Sequence, residues 1–261
     1  MATILDTIAE ATRVRVAEAK KTVPLEQIRS AARMLPADTG FPFEKALSAP
    51  GMSFICECKK ASPSKGLIAP DFPYLEIAKS YEDAGASAIS VLTEPQWFLG
   101  QNTYLQEIVQ AVHIPCLRKD FTVDDYMIYE AKVLGASAVL LICSLLSEEQ
   151  IRDSIKLCDS LGLSALVEAH DADEIEMALR AGARIIGVNN RNLKDFTITL
   201  ETTRRLRPYV PEDKVFVAES GIMSDEDVEF LKACHMDAFL IGRAFMEAEN
   251  PKELAKRWKG V

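Results

Sequence analysis

The chain has 261 residues, 48% of them hydrophobic and 26% charged, and 39 acidic against 30 basic side chains give a net charge of −9. This composition is that of a globular protein, and its negative charge argues against a general affinity for nucleic acid or anionic membranes. A local basic pocket for a phosphate group remains compatible with it. No apolar run is long enough for a membrane span, and the N-terminus lacks the apolar core of a secretory signal, so we expect a cytoplasmic protein.

The cysteines and histidines do not form a metal-binding pattern. The chain has six cysteines, most of them in apolar runs where cysteine behaves as a small hydrophobic residue. A single residue separates Cys56 from Cys58, which is the wrong spacing for a CxxC redox or zinc pair. His113, His170 and His235 are too scattered for a metal cluster. His170 follows Glu168 by two residues and could face the rim, but we favour a position at the surface. We therefore predict buried, reduced thiols and no metal site.

The first fifty residues are predicted to be helical. An apolar stripe at helical spacing indicates one helix before Pro24, and Leu25–Met34 can form a second. Residues 35–51 are rich in Pro, Gly and Ala and are interpreted as a connector. Phe41 and Phe43 are expected to anchor this connector to an apolar surface.

From residue 53 onward one pattern recurs: an apolar strand, a polar loop, an amphipathic helix and a Gly-Ala turn. Eight strands are predicted, at Phe54–Lys59, Ala88–Thr93, Cys116–Lys119, Ala138–Cys143, Ser164–Glu168, Ile185–Asn189, Val215–Glu219 and Ala238–Ile241. Eight helices are predicted between and after them, at Tyr74–Ala84, Thr103–Val112, Asp124–Leu134, Ser147–Leu161, Asp171–Ala181, Leu200–Leu206, Ser224–Cys234 and Pro251–Trp258.

Eight strand–helix units over about two hundred residues predict an α/β fold, a closed (β/α)8 TIM barrel. We expect one domain over residues 1–261, in which residues 1–50 are an N-terminal helical extension. The alternative is an open doubly wound sheet. It is disfavoured because no GxGxxG follows the first strand and eight regular units are many for an open sheet.

Polar side chains stand at the carboxyl ends of five predicted strands, where barrels of this kind carry their active sites. In chain order these residues are Glu57, Lys59, Arg118, Lys119, Asp120, Glu168, Asn189, Asn190, Arg191, Glu219 and Ser220. One charge at a strand end would most simply solvate a loop. Both signs of charge converging from five strands would instead perturb one another's pKa values, as acid–base catalysis requires.

A phosphate site is predicted after the last two strands. Gly221 and Gly242 each follow a strand and precede a helix. The loops after strands seven and eight of such barrels commonly bind phosphate through backbone N–H groups and a short helix's N-terminus. Glycine lets the backbone approach the anion closely.

Taken together, these residues resemble the indole-3-glycerol phosphate synthases of tryptophan biosynthesis, in both order and spacing. The segments that carry the resemblance are Lys60–Gly66, Ser90–Glu94, Leu117–Phe121, Leu140–Ile142, Leu166–His170, Ile186–Leu193 and Glu219–Ile222. The resemblance covers nearly the whole chain. It implies an enzyme that closes an indole ring in 1-(2-carboxyphenylamino)-1-deoxyribulose 5-phosphate, losing carbon dioxide and water without cofactor or metal.

The resemblance also implies roles for the charged residues. Lys119 would give a proton to the ribulose carbonyl oxygen, which gains negative charge as the ring closes. Lys59 would hold the anthranilate carboxylate and is a candidate acid for the later dehydration. Glu168 and Glu57 are the candidate bases, and the step in which each acts is left open.

Further residues match the family's binding positions. Those expected to orient the substrate are Ser62, Asn189, Arg191, Glu219 and Ser220. Those expected to form an apolar slot for the anthranilate ring are Phe98, Phe121, Leu140, Leu193 and Leu240. Those matching the phosphate loops are Gly221, Ile241, Gly242 and Arg243. The N-terminal helices resemble an extension that caps the catalytic rim, and strand alternation turns Cys56 and Cys58 toward the helices.

Two other functions are weighed against this one. Another phosphate-binding barrel enzyme, such as a sugar-phosphate isomerase or epimerase, would not need the Lys59/Lys119 pair with an aromatic slot. A non-catalytic barrel that binds an anthranilate-like phosphate would not need a paired acid and base at Lys119 and Glu168. The expected partner is the small-molecule substrate, with no nucleic acid and no membrane. We expect a monomer, and weak contact with other enzymes of the tryptophan pathway is left open.

Overall fold

The computed structural model describes residues 3–192 and 195–260, and its centre is a closed barrel of eight parallel strands. The strands, in chain order, are β1 (Ser53–Cys58), β2 (Ala61–Ser62), β3 (Gly66–Leu67), β4 (Ala88–Leu92), β5 (Cys116–Lys119), β6 (Ala138–Ile142), β7 (Ser164–Ala169), β8 (Ile185–Asn189), β9 (Val215–Glu219) and β10 (Ala238–Ile241). The barrel runs β1-β10-β9-β8-β7-β6-β5-β4 and closes between β1 and β4, while β2 and β3 form a small antiparallel hairpin after β1. The predicted (β/α)8 TIM barrel is confirmed.

The described residues hold twelve α-helices. These are α1 (Ile4–Thr22), α2 (Leu25–Met34), α3 (Pro42–Leu47), α4 (Tyr74–Asp83), α5 (Asn102–Ala111), α6 (Asp125–Val133), α7 (Glu148–Ser160), α8 (Ala172–Ala181), α9 (Glu201–Leu206), α10 (Asp225–Ala233), α11 (Arg243–Met246) and α12 (Pro251–Lys259). Most predicted helix bounds differ from these by one residue. Helix α3, which begins at Pro42 inside the expected connector, was not predicted. Proline suits the first turn of a helix because its fixed φ is already helical.

Side chains of successive strand residues face opposite sides of the barrel wall. Ile55, Leu117 and Leu166 belong to the cluster that fills the barrel interior. Cys56 and Cys58 are buried in the outer cluster between the barrel and its helices, as predicted. All six cysteines are free and buried, and no helix of the described chain is long and apolar enough to cross a membrane.

The first helix of the N-terminal extension lies on the carboxyl rim of the barrel. Arg15 on α1 donates to Asp120, with Nη2 2.7 Å from Oδ1, and also to the carbonyl oxygen of Thr93. Lys20 pairs with Asp124 at 2.7 Å. These contacts join α1 to the loops that follow β4 and β5, so the helix is fixed directly above the strand ends.

The third helix of the extension closes the opposite end of the barrel. Phe43 and Leu47 are fully buried in the interior cluster. Ser53, the first residue of β1, donates its hydroxyl to Ala46, and Arg184, just before β8, pairs with Glu44 at 2.8 Å. Phe43 is thus the apolar anchor that the sequence predicted. Residues 1–50 were expected to cap the catalytic rim. Helix α1 lies at that rim, whereas α3 lies at the opposite end of the barrel.

Candidate active site

The centre of the candidate site is Lys119, the last residue of β5. Its Nζ lies 3.3 Å from Glu219 Oε2 and 3.7 Å from Glu168 Oε2, and both glutamates are buried. Burial alone would lower the pKa of this ammonium, but Glu219, Glu168 and Glu57 outweigh it and raise the pKa above its ordinary value. Lys119 is therefore a firmly protonated group at the end of the barrel interior.

The two carboxylates beside Lys119 are shifted in opposite directions. Burial disfavours the charged form of Glu168, but Lys119, His170 and Asn189 outweigh it and lower the pKa of that carboxyl. Burial raises the pKa of Glu219, and the negative charge of Glu168 adds to the rise. Glu219 Oε1 is buried with no hydrogen-bond partner in the described chain. Pairs of titratable groups pushed apart in this way are the usual arrangement for separate acid and base roles.

A second ion pair lies at the end of β1. Lys59 Nζ is 2.7 Å from Glu57 Oε1, and Ser90 donates to Glu57 Oε2 at 3.3 Å. Burial disfavours the charged form of Glu57, but Lys59 and Lys119 outweigh it and lower the pKa of that carboxyl. The site thus holds two lysines facing three glutamates.

Residues after β8 complete the polar wall. Asn189 donates its amide to Glu168 Oε1 at 3.3 Å, and its own oxygen accepts from the backbone N–H of Arg191 at 3.0 Å. Asn190 does not face the site. Its amide nitrogen donates to the carbonyl of Ser220, which fixes the start of the loop after β9.

A cavity of about 140 Å³ lies next to these charges. The predicted site residues that line it are Glu57, Lys59, Ser62, Phe98, Lys119, Phe121, Leu140, Glu168, Asn189, Arg191, Glu219, Ser220 and Leu240. The rings of Phe98 and Phe121 pack against each other at a tilt of 41°, with centroids 5.9 Å apart. Leu5 and Ile8 of α1 and Phe196 also line the cavity and were not predicted. The predicted slot residue Leu193 lies outside the described residues.

The predicted phosphate residues lie beside this cavity rather than in its lining. Ser220 and Gly221 both have left-handed backbones, with φ of 68° and 85°. A non-glycine residue in this conformation is uncommon and marks a functional turn more often than chance. Gly242 precedes α11, and a Cβ built on it would lie 3.3 Å from Lys59 Nζ. The loop after β10 therefore runs next to the ammonium of Lys59.

Two of the predicted phosphate residues could bind a phosphate only through their backbone groups, because their side chains lie elsewhere. The Ile241 side chain is buried in the outer cluster between barrel and helices. Arg243 is exposed, and its Nε donates to Glu247 at 2.7 Å on the surface of α11. The two side chains are therefore engaged elsewhere.

Two charged residues beside Lys119 serve the scaffold. Arg118 faces outward, where its guanidinium is buried and donates to the Met127 carbonyl and to Glu130 at 2.6 Å. Asp120 is held by Arg15 and accepts from the hydroxyl of Thr93. Lys119 and Asp120, the residue just after β5, both line the cavity, whereas Arg118 does not.

Two residues matter to the site without having been given a role from the sequence. A Cβ on Gly187 would overlap Glu219 Oε1, so this glycine makes room for the glutamate. Glu94 accepts three backbone N–H groups, including that of Phe98 at 3.0 Å, and shapes the loop that carries this ring. A glycine inside an apolar strand is a known sign of close approach and could have been noticed.

His170, expected at the surface, is instead half-buried behind Glu168. Its Nε2 is 3.3 Å from Glu168 Oε1 and its Nδ1 is 3.1 Å from Glu174 Oε2. The expectation was wrong because the carboxylate of Glu174, four residues later, draws the imidazole toward the start of α8. In the described part of the chain, no three histidine, cysteine or acidic side chains are grouped to hold a metal ion.

Comparison with known proteins agrees with this geometry. The chain is 52% identical over 254 residues to the indole-3-glycerol phosphate synthase of Ruminiclostridium cellulolyticum, covering 97% of this chain and 98% of that protein. It is 51% identical to the enzyme of the same name from Endomicrobium trichonymphae, covering 98% and 99%. Its fold is similar to that of 3-hexulose-6-phosphate synthase from Salmonella typhimurium, with a TM-score of 0.66 at 14% identity, covering 80% and 97%. The model of the indole-3-glycerol phosphate synthase family matches residues 5–258, and the chain belongs to that family.

Proposed function

We propose that the chain is an indole-3-glycerol phosphate synthase, a carboxy-lyase acting on 1-(2-carboxyphenylamino)-1-deoxyribulose 5-phosphate. The observation that carries the proposal is the Lys119 ammonium, 3.3 Å from Glu219 and 3.7 Å from Glu168, in a cavity that the phenyl rings of Phe98 and Phe121 also line. Ring closure needs a proton donor, a base and an apolar slot, and these residues are our candidates for all three.

The first step joins the ring carbon that bears the carboxylate to the ribulose carbonyl carbon. The carbonyl oxygen gains negative charge and takes a proton from Lys119. A fixed ammonium in a site shielded from water stabilises this charge more than a solvated one would. The raised pKa of Lys119 keeps the proton available until the substrate oxygen arrives. The acid then regains its proton from the neighbouring carboxyl groups or from solvent.

Loss of carbon dioxide restores the aromatic ring, and loss of water completes the indole. Lys59 is suited to bind the carboxylate before it leaves, since Glu57 holds its ammonium at 2.7 Å. The hydroxyl lost as water needs a second proton, for which Lys59 is the candidate donor. Glu168, whose lowered pKa keeps it ionised, is the base that takes the proton lost with the hydroxyl.

The remaining residues hold the flexible substrate in a folded shape. The rings of Phe98 and Phe121 offer apolar aromatic surface against which the anthranilate ring can pack. The backbone N–H groups around Gly221 and Gly242 suit the phosphate, because loops in these places bind phosphate in many barrels of this fold. Bringing the two reacting carbons together in this way contributes to the rate by restricting geometry.

The test is an assay of the purified chain with this substrate, with EDTA present, following indole fluorescence. We expect turnover that is independent of the chelator. In Lys119→Met we expect turnover to fall by about 10²–10⁴-fold, the range for loss of a general acid, while substrate affinity changes far less. The matched control is Lys156→Met, an exposed lysine on α7, which should leave turnover unchanged.

Two outcomes would contradict the proposal. Binding without turnover would identify a non-catalytic binder of an anthranilate-like phosphate. Failure to bind, together with turnover of a sugar phosphate, would identify an isomerase or epimerase on the same fold.

A further inference from the structure

The imidazole of His170 lies between two carboxylates, close to the border of two neighbouring cavities. Glu168, on the inner side, lines the cavity that holds Lys119. His170 and Glu174, on the outer side, line a neighbouring cavity of about 510 Å³. The proposed reaction assigns no role to this histidine.

The contacts of the ring define what it can do. Nδ1 lies 3.1 Å from Glu174 Oε2, and the same oxygen accepts the backbone N–H of His170 at 2.7 Å. Nε2 lies 3.3 Å from Glu168 Oε1 and makes no well-directed hydrogen bond within the described chain. Ionised carboxylates only accept hydrogen bonds, so the carboxylate oxygens beside both ring nitrogens favour a ring that is protonated at each. The arrangement is that of an imidazolium between two carboxylates.

Two cations then flank opposite oxygens of Glu168. Lys119 approaches Oε2, while His170 and the amide of Asn189 approach Oε1. This fixes the rotation of the carboxylate and favours its ionised form. Catalytic groups are commonly oriented by such outer partners, whose loss typically changes activity by about 10–100-fold at metal sites.

We infer that His170 is a positioning residue that holds the Glu168 carboxylate ionised and correctly rotated for the proposed ring closure. It acts through Glu168 and does not touch the substrate. This inference deepens the proposed function and rests on it.

The charged groups around this pair set its pH behaviour. Glu168 faces Lys119 from β5 and His170 from the position just after its own strand, and Glu219 from β9 is close enough to interact with its charge. His170 faces Glu174 from α8, and Asp171, the residue that caps α8, is exposed. Glu168 and Glu174 outweigh the burial of the ring and raise the pKa of His170 to about 10. The imidazolium should persist through neutral pH, so it orients Glu168 rather than relaying its proton.

Two substitutions separate the charge of the ring from its contacts. In His170→Gln the amide nitrogen replaces Nε2, which keeps a neutral donor toward Glu168. In His170→Asn the amide nitrogen replaces Nδ1, which keeps only the contact toward Glu174. The control is His113→Gln, whose parent side chain is 97% exposed and far from the site.

Removing the cation should let the pKa of Glu168 rise toward its ordinary value. The acidic limb of the kcat/KM pH profile should therefore move upward by about one pH unit in both variants. At neutral pH, kcat should fall about tenfold in His170→Asn and less in His170→Gln, with KM nearly unchanged. The control should retain the parent profile. An unmoved acidic limb in two folded variants, whatever the change in kcat, would reduce His170 to a structural role and overturn the inference.

A titration of the histidine ring signals by NMR, assigned with His170→Gln, tests the same idea without activity. We expect the His170 ring of the parent protein to keep both protons beyond pH 8. A ring that is neutral at pH 7 would overturn the inference even if the variants fail to fold. If the parent protein shows no turnover, the proposed reaction fails, while the titration still decides whether an imidazolium stands beside Glu168.

Discussion

The two ends of the barrel interior are filled by opposite kinds of side chain. At the amino end, Phe43 and Leu47 of α3 seal the interior with apolar surface. At the carboxyl end, Lys119 and its glutamates occupy the corresponding volume as buried charges. Buried charge stabilises a fold poorly, because removal from water offsets most of the attraction. The comparison indicates that one end of the barrel supplies stability and the other supplies chemistry.

The largest effect we expect comes from opening the amino end. Phe43→Ala removes a fully buried ring from the interior and should lower the free energy of unfolding by about 3–5 kcal/mol. Below the melting temperature, kcat should stay near the parent value. Urea unfolding and steady-state kinetics measure the two quantities. Phe98→Ala, at the carboxyl end, is the matched control. It should lower kcat and leave the free energy of unfolding nearly unchanged. If both substitutions affect kcat equally, the division between the ends is wrong.

The next effect should come from Gly187→Ala. The added methyl group would overlap Glu219 Oε1, a flexible side-chain end, so Glu219 should move while the fold persists. We expect kcat to fall by about 10²-fold, the order of loss when an enzyme's catalytic geometry is displaced by about 1 Å. In the Glu219→Ala background, the same substitution should have little further effect. A full additional loss there would show that Gly187 acts on something other than Glu219.

A smaller effect should follow from releasing the helix above the carboxyl end. Arg15→Gln leaves the buried Asp120 carboxylate with the hydroxyl of Thr93, the backbone N–H of Phe121 at 2.8 Å and a distant Arg118 contact at 3.7 Å. The free energy of unfolding should fall by about 1–3 kcal/mol, the range for removing one partner of a buried polar group. Arg13→Gln, two residues earlier in an exposed pair, should cost less than about 0.5 kcal/mol. Equal losses by denaturant unfolding would mean that the buried contact does not fix α1.

The remaining effect is a dependence of stability on pH. The pKa of Glu219 is raised by burial, so the folded chain keeps a proton that the unfolded chain releases. Between the ordinary carboxyl pKa and this raised value, the unfolded state binds fewer protons, and stability must fall as pH rises. Glu219→Gln removes this dependence, by at most about 1.4 kcal/mol per pH unit. Urea unfolding of both proteins from pH 5 to 8 measures the difference, and parallel curves would show that Glu219 is ionised in the fold.

Much of the barrel could be predicted because its strands alternate with amphipathic helices and Gly-Ala turns. Strand β5 was predicted with the bounds that the structure has. The charged strand ends were also predicted, but which of them face inward was less clear at the end of β5. There Arg118 and Lys119 point to opposite faces, and their partners are distant in sequence. The position of α3 could not be predicted, since six residues carry little periodicity and the contacts of Phe43 are formed only by the closed barrel.

The environment of His170 is the clearest case of a feature that sequence spacing did not predict. Its neighbour Glu168 was identified from the strand end, yet the ring was expected in solvent. Its environment depends on Glu174, which lies one helical turn into the next element, and on a carboxylate already crowded by Lys119. Sequence spacing does not reveal which of these opposite charges form ion pairs in the folded protein.

The extension that reaches both ends of the barrel has a consequence for biosynthesis. Glu44 binds Arg184, which is 140 residues further along the chain, and Arg15 binds Asp120, which is 105 residues further along. The extension is therefore synthesised well before these partners. Until β10 emerges and pairs with β1, Phe43 and Leu47 have no completed cavity to enter, and exposed apolar surface of this kind promotes association between nascent chains. Folding of the extension accordingly depends on protection of its apolar residues during translation.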